Sequence, residues 1–190
     1  MNIKNNKGKP FDICFVDADS LIYRIALKSD ISLTKAKEYY DKAIEDIEWN
    51  TCSTVTKVAL KGKGNFRYDI AEDYKGQRKI KEQEEDPNPE DVVSIWAQEA
   101  LDAKEHFVIA HIDKDIDMVE GWHYNFTKET LYYICKDQGW YKMCIQMLTG
   151  DSTDNIQGLV GIGPKKAEKL LTDVSKDDML AKVREAWRLA

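Results

Sequence analysis

The sequence predicts a three-layer α/β fold with a central, mainly parallel sheet. Three observations carry this expectation. Two short, nearly continuous apolar runs, Phe11 to Val16 and Phe107 to Ile112, each end at an aspartate. Strands covered on both faces read this way, because neither face alternates with polar residues. Helical patterns separate the runs, and a glycine-rich turn precedes a helical tail. At 190 residues, 43% of them hydrophobic, the chain is long enough to bury one substantial core. The expected organisation is an α/β domain over 1–150 and a helical region over 151–190, packed as one unit.

The first apolar run ends at Asp17, and Asp19-Ser20 can cap a helix that turns Leu21, Ile22, Ile25 and Ala26 inward. Ala36, Tyr40, Ala43, Ile44 and Ile47 recur at helical spacing, predicting a long amphipathic helix over 34–49. Val55 to Leu60 reads as a second strand, and Gly62 to Asn65 as a turn into a hairpin partner at Phe66-Arg67-Tyr68. Tyr74 to Pro89 has almost no apolar content and ends in Asp-Pro-Asn-Pro, the composition of an exposed connection. Pro89 opens the next helix, expected to reach Lys104 with Val92, Val93, Ile95, Trp96, Ala100 and Leu101 toward the core. The second apolar run delivers Asp113 to the same sheet edge as Asp17. His123 to Phe126 and Thr130 to Ile134 suggest a hairpin, Gln138 to Leu148 a helix, and the tail from Lys165 another.

A formal net charge of -6 seems to argue against a polyanionic partner, but the charges are segregated. Eight basic residues collect between Lys57 and Lys81, and Lys165, Lys166 and Lys169 form a second group. Such separation suits a protein that grips a polyanion at one place and holds cations at another. The N-terminus is polar, and no apolar run is long enough to span a bilayer. Cys14, Cys52, Cys135 and Cys144 fall at irregular spacings without a CxxC pair, so neither a disulfide framework nor a zinc site is expected. These features predict a cytoplasmic protein with no membrane association, and a monomer.

Ligands bind outside the carboxyl ends of strands in an open parallel sheet. Asp17 and Asp113 are placed there, Asp115 follows within a turn, and Glu90 and Asp91 open the helix that precedes the Asp113 strand. Asp151 and Asp154 are three apart, which on a helical turn puts both carboxylates on one side. Gathering seven carboxylates is costly unless divalent cations neutralise them. Hard oxygen ligands favour Mg²⁺ or Mn²⁺, and two such ions about 4 Å apart are suited to phosphodiester hydrolysis. Each cluster alone also has a structural reading as a helix cap, a first-turn charge or a solvated turn.

Gly158 to Ala167 brackets Ile162 with Gly161 and Gly163 and starts a helix near Pro164. Glycines let backbone approach a phosphate, the free amides at a helix start donate to it, and Lys165 and Lys166 add charge. The arrangement resembles the helix-hairpin-helix element that holds a DNA backbone without reading bases.

With these motifs the chain resembles the 5′-to-3′ exonuclease and flap endonuclease family, particularly its short bacteriophage members. Val16-Asp17-Ala18-Asp19, Tyr74-Lys75-Gly76-Gln77-Arg78, Ile112-Asp113-Lys114-Asp115, Gly150 to Ile156 and Gly161 to Ala167 carry the resemblance. It implies a PIN-like nuclease domain with a C-terminal helix-hairpin-helix. The implied activity is metal-dependent hydrolysis of DNA near 5′ ends, flaps or branches. Asp17, Glu90, Asp91, Asp113, Asp115, Asp151 and Asp154 would hold Mg²⁺ or Mn²⁺. Tyr74, Lys75 and Arg78 would contact DNA, with Lys75 and Arg78 as electrostatic catalysts at the scissile phosphate. Gly161, Gly163, Lys165 and Lys166 would hold the duplex backbone, with K⁺ as a further ion at the hairpin.

The chain departs from the family at three places. Asn88-Pro89-Glu90-Asp91 stands where a glutamate-x-aspartate-aspartate motif is usual, and Leu60-Lys61-Gly62 stands where a further aspartate is common. Tyr74 and Glu90 are also so close that the segment building a helical arch is nearly absent. These departures keep a second expectation open, a structure-selective DNA-binding protein of the same fold without hydrolysis. A related ribonuclease is a third, disfavoured by the glycine-lysine hairpin.

Overall fold

The computed structural model describes residues 10–26, 31–60 and 89–189, with the side chains of Pro89 and Glu90 left aside. The first apolar run forms strand β1 (Ile13–Asp17) and the second forms β3 (Phe107–His111), with β2 (Val55–Ala59) on the other side of β1. A hairpin of β4 (Gly121–Asn125) and β5 (Thr130–Ile134) completes a five-stranded sheet of order β2-β1-β3-β4-β5. All neighbours pair in parallel except the β4–β5 hairpin, so an antiparallel strand closes one edge.

The period of two along the strands sorts their side chains into two cores. Cys14, Val16, Val108, Ala110 and Tyr124 pack on one face with Leu21 of helix α1 (Asp19–Ala26) and Ile47 of α2 (Leu33–Thr51). Phe15, Phe107 and Ile109 pack on the other face with Val93, Ala97 and Ala100 of α3 (Pro89–Ala103). The result is the expected three-layer α/β arrangement. Three inward assignments do not hold, since Ala26 is exposed, Ile22 is 44% exposed and Ile95 is 58% exposed. Val93, Ala97 and Ala100 define the buried stripe of α3, and at 100° per residue Ile95 points away from it. The expected partner strand at Phe66 to Tyr68 lies outside the described residues.

Contacts divide the chain into two units, the sheet with its helices ending at Ile134 and a second unit starting at Cys135. The second unit contains α4 (Lys136–Thr149), a two-stranded ribbon of β6 (Gly150–Asp151) and β7 (Ile156–Gln157), and helices α5 (Pro164–Leu171) and α6 (Lys176–Leu189). Cys144, Leu148, Leu159, Ala167, Leu171 and Val183 form its buried core. Two indole N–H groups tie α6 and its start to α4: Trp140 donates to the Lys176 carbonyl at 3.3 Å and Trp187 to the Met147 carbonyl at 3.0 Å. The tail is thus two helices, broken at Thr172 to Ser175, where Asp173 has φ of 61°. Among the described residues no helix is long and apolar enough to cross a membrane.

Candidate functional site

In the first unit the strand order reverses at β1/β3, because the chain moves outward from β1 to β2 in one direction and from β3 to β4 in the other. Loops diverge at such a switch point and leave a crevice at the carboxyl ends of the strands. Asp17 is the last residue of β1 and is 5% exposed. Parallel register pairs Val16 with Ala110, so the next residues, Asp17 and His111, are neighbours across the switch point. Asp113 and Asp115 follow in the loop after β3, both half-buried, and Asp113 Oδ1 accepts the Asp115 backbone N–H at 2.8 Å. Asp91 lies in the first turn of α3. A helix joining two parallel strands runs back along the sheet, which puts that turn at the same edge. Topology therefore gathers Asp17, Asp91, Asp113 and Asp115 at one edge. The Glu90 side chain, Tyr74, Lys75 and Arg78 lie outside the described residues, as do Lys61 and Asn88.

The second unit holds Asp151 and Asp154, but not on a helical turn. Asp151 ends β6, and the four residues after it turn into β7. The Asp151 carboxylate itself makes the turn, accepting the Thr153 N–H on Oδ1 at 2.8 Å, while Gln146 Nε2 donates to Oδ2 at 2.9 Å. Aspartate favours such local bonding over continuing a helix. Gly150 and Gly158 allow the ribbon to close, because a Cβ on either would overlap backbone of the other strand. Asp151 is 4% exposed and Asp154 half-buried.

Burying a carboxylate is expensive unless donors or cations compensate it. Each carboxylate oxygen accepts from more than one partner, so the bonds at Asp151 leave it able to ligate. Carboxylate oxygens are the ligand type of a hard divalent cation such as Mg²⁺ or Mn²⁺, while among the described residues only His111, Asp117 and His123 bring three potential ligand atoms within 4.8 Å of one another. In the same second unit, the chain turns from the buried Leu159 to Gly163 ahead of α5, with Val160, Gly161 and Gly163 exposed. Ile162 donates its N–H to the Leu159 carbonyl at 3.0 Å, Gly161 has φ of 74°, and Gly163 is the N-cap before Pro164. Lys165 and Lys166 are exposed, with Lys166 Nζ donating to the Gly161 carbonyl at 2.8 Å.

Solved structures share this architecture. The bacteriophage T5 5′-exonuclease with bound divalent zinc matches at a TM-score of 0.70 and 17% identity, over 93% of this chain and 85% of that one. The chain has the fold of the T5 5′-exonuclease. The bacteriophage T5 D15 flap endonuclease, in a pseudo-enzyme-product complex with DNA and metal ions, matches at 0.67 and 16% identity, over 93% and 86% of the two chains. T5 D15 protein co-crystallised with metal ions matches at 0.68 and 18% identity, over 85% and 74%. No family model matches the sequence, and no curated protein matches it.

Within this T5 5′-exonuclease-type fold, the loop from β3 to β4 carries a group absent from the sequence expectations. His111 and His123 are fully buried, at 1% and 0% exposure, and His111 Nε2 faces His123 Nδ1 at 2.8 Å. Asp117 Oδ1 lies 3.7 Å from His111 Nε2 and accepts the Tyr132 hydroxyl at 2.7 Å. Burial, and then the bond to Asp117, hold that hydroxyl above the ordinary tyrosine range. No short Cys/His motif marks this group in the sequence, because its members come from two strands and the turn between them and meet only in the fold.

Proposed function

We propose that the chain is a divalent-metal-dependent nuclease that hydrolyses DNA phosphodiesters at 5′ ends, flaps or branch points. The observation that carries this reading is the set of aspartates at the switch-point edge, in a fold shared with the T5 5′-exonuclease. Asp17, Glu90, Asp91, Asp113 and Asp115 of the first unit, and Asp151 and Asp154 of the second, are the proposed ligands of Mg²⁺ or Mn²⁺. When bound, paired ions of this kind activate water and stabilise the leaving oxygen.

The chain's own residues supply the rest. Gln146 and the Thr153 amide fix the Asp151 carboxylate, and the Asp115 amide fixes Asp113, so ligands are oriented before a cation arrives. Lys75 and Arg78 stabilise charge at the scissile phosphate, and Tyr74 contacts the DNA beside them. The turn at Gly161 to Gly163 and the start of α5 act as a helix-hairpin-helix that holds the duplex backbone. Its amides and the Lys165 and Lys166 ammonium groups donate to phosphate, and K⁺ is a further ion proposed there.

A panel of 5′-flap DNA, blunt duplex and single-stranded RNA, each with Mg²⁺ or Mn²⁺, tests the reading. Cleavage of the DNA substrates and not of the RNA is expected. DNA binding without cleavage in either metal would replace it with a structure-selective binding protein, the outcome to which Asn88 and the short connection before Glu90 point.

A further inference from the structure

The buried histidine pair has a proton count that neutral rings cannot satisfy. His111 Nδ1 lies 2.7 Å from the Asp113 carbonyl oxygen, and His123 Nε2 lies 3.0 Å from the Val119 carbonyl oxygen. A carbonyl only accepts, so these two nitrogens carry the ring protons. In neutral rings the other two nitrogens, His111 Nε2 and His123 Nδ1, then present lone pairs to each other at 2.8 Å. A positive charge must lie between them. The Asp117 carboxylate joins them from the 3₁₀ turn Ile116–Met118, and the three potential ligand atoms lie within 4.8 Å of one another.

We propose that His111, Asp117 and His123 form a binding site for a divalent transition-metal ion, with Zn²⁺ as its natural occupant, separate from the carboxylate sets. Three observations support a metal. Both imidazoles donate their second N–H to a backbone carbonyl, the arrangement that fixes tautomer and ring orientation in histidine ligands. Two imidazoles and one carboxylate are the ligand types of three-residue zinc sites, whereas Mg²⁺ prefers oxygen alone. Tyr132 orients the carboxylate through its hydroxyl and stacks its ring on His123, with centroids 5.4 Å apart. The Asp117 side chain is 21% exposed, so a cation and a water as fourth ligand have a route from that side. Tetrahedral coordination asks the facing nitrogens to separate to about 3.3 Å at ordinary Zn–N lengths, a shift of roughly half an ångström.

The site would clip a short crossover. β3 and β4 are parallel neighbours, yet they are joined only by residues 112–120 with a single 3₁₀ turn. The metal ligands come from the end of β3, the turn and β4, and their second-nitrogen bonds hold the carbonyls of Asp113 and Val119 near the two ends of the loop. Occupancy therefore fixes the segment that carries Asp113 and Asp115.

The test uses the full chain, stripped with chelator and titrated with Co²⁺ in excess Mg²⁺, which keeps oxygen-donor sites filled. One Co²⁺ per chain is expected, with the intense visible bands of a four-coordinate site, displaced by one equivalent of Zn²⁺. His123→Gln should abolish the bands, and Asp117→Asn should weaken affinity at least about tenfold. Asp117 is partly exposed, so its variant keeps the test valid if the histidine variant fails to fold, and far-ultraviolet circular dichroism checks both. Absence of the bands in the native chain, or identical titrations in both variants, would overturn the proposal and leave a shared proton between the rings. DNA cleavage in Mg²⁺ is scored separately, so failure of either reading is seen without the other.

Discussion

At the scale of single residues, the proposed function rests on carboxylates whose own bonds aim them. Gln146 and the Thr153 amide hold both oxygens of Asp151, so Gln146→Leu should leave the fold intact and raise the Mg²⁺ concentration needed for cleavage by about tenfold. Recovery of the rate at high Mg²⁺ is the measurement that separates this positioning role from a structural one. Two buried groups give a pH signature. Burial pushes the Cys14 thiol from an ordinary 9.0 up to about 12, and burial, then nearby Glu129, pushes the Tyr124 hydroxyl from 10.0 up to about 12. Both bind protons more tightly folded than unfolded. Their stabilisation is complete below about pH 9 and is lost as pH rises from there toward 12, so urea midpoints should fall across that window. Asp17 and Asp113 were legible in the sequence because an apolar strand has a definite end and a parallel sheet puts such ends at one edge. His111 and His123 were not, because nothing local to either residue reports a partner on the adjacent strand.

At the scale of elements, the strands and long helices followed their periodicities, and the misreadings came where side chains or glycines override them. Asp151 and Asp154 have helical spacing, yet Gly150 at φ of 70° ends α4 and sends the chain into a ribbon. The tight pairing of Gly150 with Gly158 depends on sequence positions eight apart, which no window of helical period detects. Gly150→Ala should destabilise the second unit by at least about 1–3 kcal/mol through its strained backbone alone, read as a lower urea midpoint. The turn before α5 differs in space but not wholly in strain, since a Cβ at Gly161 or Gly163 meets nothing within 4 Å while Gly161 shares the positive φ, at 74°. The DNA-gripping role proposed for it rests on charge. Lys165→Ala and Lys166→Ala should weaken duplex binding evenly across sequences, each lowering the slope of log affinity on log salt by about 1.

At the scale of the whole molecule, the T5 5′-exonuclease-type fold distributes candidate ligands over two units, each with its own core. The first unit's sheet presents Asp17, Asp91, Asp113 and Asp115 at one edge, and the second unit's ribbon presents Asp151 and Asp154. Each set includes one buried carboxylate, Asp17 and Asp151, whose burial donors or cations must offset. The nuclease proposal requires aspartates of both units for one metal-dependent hydrolytic activity. Its most direct measurement is cleavage of a labelled 5′-flap DNA by the native chain, Asp113→Asn and Asp151→Asn, with Mg²⁺ and with chelator. Cleavage by the native chain in Mg²⁺ is expected, with none in chelator. Each variant should lose more than about 100-fold, beyond the roughly 10–100-fold typical of residues that only orient a ligand. Cleavage that survives chelator, or that either variant retains at the native rate, would overturn the nuclease proposal.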